Sequence, residues 1–150
     1  MVKRILLITL ATIMVTGGLA FECDDDNEES DLENISIEAA GDTVKSVSAG
    51  ETGEFDFKVL NHTEQAESLT VDVPDGLNEL PESWMWQICI KDACIMPGNP
   101  ATVEVPASGS YDELYMHVIT DDEGTEGKVT IEVTGIGTEA DSLTFILNIE

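Results

Sequence analysis

The feature that most limits what this chain can fold into is a repeated alternation of apolar and polar residues with period two. Ile35, Ile37 and Ala39 fall on one face of an extended segment. In EFDFKVL, Phe55, Phe57 and Val59 point one way while Glu54, Asp56 and Lys58 point the other. The pattern recurs at Leu69, Val71 and Val73, at Val103 and Val105, and at Leu114, Met116 and Val118. It returns at Val129, Ile131 and Val133 and again at Leu143, Phe145, Leu147 and Ile149. Successive side chains of a strand face opposite ways, so each run reads as a strand with one buried face. Turn-forming clusters separate the runs: SAGETG (48–53), NHTEQ (61–65), PDG (74–76), PGNP (97–100), PASGS (106–110), DDEGTEG (121–127) and GIGTEAD (135–141). No stretch sustains a helical period. Short strands at this spacing predict an all-β fold, an antiparallel β-sandwich of seven or eight strands. A small closed barrel is the alternative architecture.

The first twenty residues stand outside this pattern. Lys3 and Arg4 precede an apolar run, Ile5 to Val15, and Thr16-Gly-Gly-Leu-Ala20 ends it in small residues. This is the layout of a secretory signal peptide, and the run is shorter than the roughly 20 residues a membrane-spanning helix needs. Residues 1–20 are therefore expected to be a signal peptide, 21–33 an acidic flexible tail and 34–150 a single β-sandwich domain. The expected location is the periplasm, the cell surface or the medium. Cys23 is a candidate for lipidation, because it follows the apolar run and precedes the polar stretch DDDNEESDLEN. Glu22, directly before it, departs from the small residue that bacterial lipoprotein processing prefers. A soluble or loosely attached mature protein is the expectation, with membrane attachment only if Cys23 is lipidated or the leader is uncleaved.

Charge narrows the partners. The chain carries 31 acidic residues against 6 basic ones, and loss of Lys3 and Arg4 takes the net charge from −25 to −27. The bases that remain are Lys45, Lys58, Lys91 and Lys128, and there is no other arginine. Nucleic acids and anionic membranes both require basic patches, so neither is an expected partner.

Residues 83–98, SWMWQICIKDACIMPG, hold the most distinctive chemistry. A redox couple would place C-x-x-C at a helix N-terminus, whereas Cys89 and Cys94 are separated by four residues within a strand pattern. A transition-metal clamp needs further ligands, and only His62, His117 and Met96 accompany the cysteines. A disulfide fits best: paired cysteines of exported chains are usually bridged, and adjacent strands bring Cα atoms within 4.4–6.8 Å. Closing a ring of about six residues is worth roughly 2 kcal/mol, so the staple would chiefly fix the shape of one loop. Trp84 and Trp86 lie two apart and share a face. Core packing is expected for them, with an exposed aromatic platform for a sugar ring as the alternative. Together with Lys91, Asp92 and Met96 they form the candidate contact loop.

The remaining candidates carry less. His117 is expected to face outward beside Tyr115, and His62 lies in a turn. Asp121, Asp122 and Glu123 crowd one turn but lack the glycine and glutamate of an EF-hand loop, so at most weak surface calcium binding is expected. Asn34-Ile-Ser36 and Asn61-His-Thr63 match the N-glycosylation pattern. No catalytic triad or carboxylate pair stands out. No cofactor is expected.

Three segments resemble Ig-like modules of secreted bacterial and archaeal proteins. SAGETGEFDFKVLNHT is similar to their opening turn and strand, ending in Asn61. LPESWMWQICIKDAC is similar to their Pro-x-x-Trp and cysteine-pair segment, with Pro81, Trp84, Cys89 and Cys94. VEVPASGSYDELYMHVITDDEGTEGKVTIEVT is similar to their closing strands. The resemblance implies an Ig-like sandwich serving as a surface or periplasmic accessory module, with no particular ligand. The leading expectation is a non-enzymatic binding or structural module whose partner is an extracytoplasmic protein or glycan. The alternative is a periplasmic copper- or metal-handling protein of cupredoxin-like shape, using Cys89, Cys94, Met96 or His117.

Overall fold

The structure, a computed structural model, describes residues 34–135 and 140–150. The leader, the acidic tail and Cys23 lie outside the described residues.

The period-two runs become strands: β1 (Ile35–Ala39), β2 (Val44–Val47), β3 (Thr52–Asn61), β4 (Glu67–Asp72) and β5 (Met85–Ile90). There follow β6 (Ala93–Ile95), β7 (Ala101–Val105), β8 (Gly109–Ile119), β9 (Glu126–Thr134) and β10 (Ala140–Ile149). They form two five-stranded sheets, ordered β1-β3-β8-β5-β6 and β2-β10-β9-β4-β7. The fold is an all-β sandwich, as expected. Ten strands replace the seven or eight expected, and β2 runs parallel to β10 where every other pair is antiparallel.

The alternation explains the layering. In β3, Phe55, Phe57 and Val59 are fully buried while Glu54 and Asp56 are exposed. Leu69, Val71, Val103, Val129, Ile131, Phe145 and Leu147 supply the facing layer from the second sheet. Fully burying a side chain of this size contributes about 1.5–3 kcal/mol. Phe145 of β10 joins the layers, stacking on Phe55 with ring centroids 4.8 Å apart and tilting against Phe57 at 6.1 Å. β8 carries one extra residue opposite β3 between its partners of Phe57 and Val59. That bulge lets Leu114 be buried and Tyr111 pack against the core despite their odd spacing.

Two buried polar fixtures tie loops to this core. Asn61, 1% exposed, donates its amide to the carbonyls of Gln65, Val105 and Pro106, and accepts the Thr63 N–H. With its amide nitrogen engaged inside the fold, Asn61 is not placed as a glycan acceptor. Trp84 donates its indole N–H to the Glu123 carbonyl at 2.6 Å.

Candidate functional site

The parity of β5 decides what faces where. Trp86 and Ile88 point into the core, so Met85, Gln87 and Cys89 point out of the sheet. Trp84 and Trp86 are 4% and 5% exposed, so both indoles belong to the core and neither offers a platform to a sugar. The odd spacing between Trp86 and Cys89 places the tryptophan and the disulfide on opposite faces of one sheet. The bridge therefore does not pack against a tryptophan between the sheets.

Cys89 and Cys94 are disulfide-bonded. They sit directly opposite each other on β5 and the three-residue edge strand β6, with Ile90 facing Ala93 and only Lys91 and Asp92 in the turn. Of the four residues between the cysteines, two extend the strands and two make the turn. The Cα atoms are 3.9 Å apart, closer than the expected span of roughly 4.4–6.8 Å. Lys91 has φ 52, the left-handed region that two-residue hairpin turns use at their first position, usually with glycine. Its backbone is held in place from outside: its N–H donates to the Glu113 carbonyl at 3.0 Å, and its own carbonyl accepts the Tyr115 hydroxyl. Its ammonium pairs with the Glu113 carboxylate at 3.0 Å, which raises its pKa from the ordinary lysine value.

The neighbouring strands line the bridge. Tyr115 of β8 stands opposite Cys89, and His117 stands opposite Gln87 on one side and Glu54 on the other. His117 Nδ1 lies 3.7 Å from Cys89 Sγ, and its Nε2 lies 2.9 Å from Glu54 Oε2. A carboxylate at this distance only accepts, so Nε2 carries a proton. In the neutral ring Nδ1 then bears a lone pair turned toward the sulfur. The Tyr115 and His117 rings are 5.1 Å apart and close one side of the patch. Gln87 Nε2 donates to the Met96 sulfur at 3.1 Å. Met96 and Met85 are exposed, at 47% and 44%. Cys89 is buried, Cys94 exposed and His117 half-buried.

Sequence reasoning singled out Cys89, Cys94, Lys91, Asp92, Met96 and His117; the structure places the first five on or beside the β5–β6 hairpin and His117 on the neighbouring central strand β8. It treated His117 as a solvated side chain, whereas that ring is half-buried, with Nε2 bonded to Glu54 and Nδ1 in contact with the disulfide sulfur of Cys89. It missed Glu54, Gln87 and Tyr115, whose only signal was an outward position on a strand of unknown neighbours. His62 stands apart, its Nε2 2.8 Å from the Ser36 hydroxyl on the far edge strand β1. The two-histidine set of a cupredoxin is thus not assembled. Among the described residues, the one group of three or more potential ligands is Cys89, Cys94 and His117, with ligand atoms within 4.8 Å of one another. The acids at 121–123 are not such a group. Asp121 instead closes its own turn by accepting the Glu123 N–H at 2.8 Å. The Ser83 hydroxyl first, and that N–H second, hold its pKa below the ordinary value.

No family model and no curated protein matches the chain. Solved structures do. A conjugative transposon lipoprotein from Bacteroides eggerthii is 11% identical, with a TM-score of 0.51 over 77% of this chain and 97% of that one. A lipoprotein from Bacteroides thetaiotaomicron is 17% identical, with a TM-score of 0.45 over 77% of this chain and 80% of that one. A Caenorhabditis elegans member of the MSP family is 11% identical, with a TM-score of 0.43 over 79% of this chain and 99% of that one. At these identities the likeness is one of fold.

Proposed function

We propose that the protein is a non-enzymatic, extracytoplasmic Ig-like module that binds a protein partner through the outer face of the β5–β6 hairpin. The observation that carries this is a braced, irregular edge with exposed methionines around it. The disulfide, the Glu113 contacts and the Tyr115 hydroxyl all fix one short hairpin. A surface ordered in advance loses less entropy on binding. Met85 and Met96 give it soft apolar contact area of the kind adaptable binding surfaces use. A protein partner is favoured over a glycan because both tryptophans are inside. The signal-peptide-like leader and the disulfide support a location outside the cytoplasm.

A photo-crosslinking residue placed at Met85 or Met96 in the native host should capture one defined partner. The same residue at Thr130, on the outer face of the other sheet, should not. Equal capture from both faces, or none from the hairpin, rejects the assignment.

A further inference from the structure

We infer that the Cys89–Cys94 bridge masks a metal site, and that on reduction Cys89, Cys94 and His117 together bind one Cu(I) ion. This goes beyond the contact role and does not depend on it.

The donor set is the first argument. Two thiolates and one imidazole are soft-to-borderline ligands, which favour Cu(I) over the hard cations. The geometry is the second. Ligand atoms bound to one ion at thiolate and imidazole bond lengths sit about 3.5–3.8 Å apart. Cys89 Sγ and His117 Nδ1 are already 3.7 Å apart. Only the two sulfurs must separate, and Cys94 hangs from the exposed edge strand β6, directly opposite the buried Cys89 of β5. The third argument lies behind the histidine. Metal-bound imidazoles commonly donate their other N–H to a carboxylate, which fixes the ring and strengthens it as a donor. Glu54 does this here at 2.9 Å, and it leaves Nδ1 facing the sulfurs. The Met96 sulfur, held by Gln87 directly across from His117, adds a soft thioether at the rim. A chain of net charge −25 also favours a cation over an anion at its surface.

The chemistry balances with a dithiol as reductant. The dithiol gives two electrons and two protons, the Cys89–Cys94 bond breaks into two thiols, and the dithiol leaves as its own disulfide. One Cu(I) then replaces the two thiol protons, which pass to water. Exchange with a small disulfide, which takes two electrons from the thiolates and two protons from water and leaves as two thiols, re-forms the bridge, removes two of the three ligands and releases the metal.

The test uses the full chain carrying Cys23→Ser, so that no third thiol competes. Cu(I) is titrated without oxygen against a coloured Cu(I) chelator, before and after reduction with dithiothreitol and its removal. The reduced chain should withdraw one equivalent of Cu(I) and the oxidised chain none. Cys89→Ala/Cys94→Ala should abolish uptake. His117→Ala should weaken it tenfold or more, and Glu54→Gln by about tenfold, with circular dichroism unchanged for both surface variants. No uptake by the reduced chain, or unchanged affinity in His117→Ala, overturns the site. Tight Zn²⁺ binding by the reduced chain with weak Cu(I) uptake overturns the choice of metal.

Discussion

Trp84 and Gly127 are pressed together: a Cβ built on Gly127 would lie 2.8 Å from Trp84 Cζ3 and 2.7 Å from Leu80 Cδ2. The same indole donates to Glu123 in the connection that leads into β9. The acidic β8–β9 connection is thus held by an aromatic ring, and the glycine at the start of β9 leaves room for that ring.

Gly127→Ala should destabilise the domain by about 1–3 kcal/mol, the usual cost of overpacking a rigid site. Gly41→Ala, where an added Cβ meets nothing within 4 Å, is the control and should change little. Urea unfolding of the two variants compares them. Equal midpoints would mean that the ring gives way.

Asn61→Ala should cost about 1–3 kcal/mol, because it strips donors from carbonyls in a buried corner. Asn61→Asp should cost more, since it sets a carboxylate against those carbonyls. Peptide mapping after expression in a glycosylating host should show no glycan on the peptide that contains Asn61. A glycan there would contradict its burial.

Removing the bridge as Cys89→Ala/Cys94→Ala should lower stability by about 2 kcal/mol, the entropy of closing a short ring. The larger effect should be local. Amide exchange at Lys91 and Asp92 should accelerate far more than at Phe55 or Phe145 in the core. Uniform acceleration would show that the bridge holds the whole fold.

Asp121 gives the pH prediction. Its folded-state pKa lies below the ordinary 3.8. The stabilisation is therefore fully present above that value and is lost as pH falls from 3.8 through the lower folded pKa. The stability difference between the native chain and Asp121→Asn should be constant at neutral pH and shrink on acidification below 3.8. A difference that grows with acid would reverse the assignment.

Legibility in the sequence followed burial. Where a strand buries one face, the alternation announced it, as in β3, β8 and β10. β2, VKSV, alternates only between exposed and half-buried positions and leaves Val44 53% exposed, so no buried stripe betrays it. Its backbone pairing with β10 is what makes it a strand. β6 is three residues long and holds no buried side chain. The disulfide was readable from chemistry, but its face was not, although the odd step from Trp86 to Cys89 carried that information. The Glu54–His117 contact joins residues 63 apart. Its two members each looked like an ordinary outward polar residue, because strand order is written in no local pattern.

The position of β10 has a temporal consequence. This last described strand lies inside its sheet, between β2 and β9, and carries the ring that joins the two layers. Nothing made earlier on a ribosome can substitute for it. Until residues 140–149 emerge, β2 has no neighbour, β9 lacks one of its two, and the Phe55 ring has no stacking partner. Its closing contacts span long stretches of sequence, which slows folding. The two layers are therefore completed by the strand that is made last among those described.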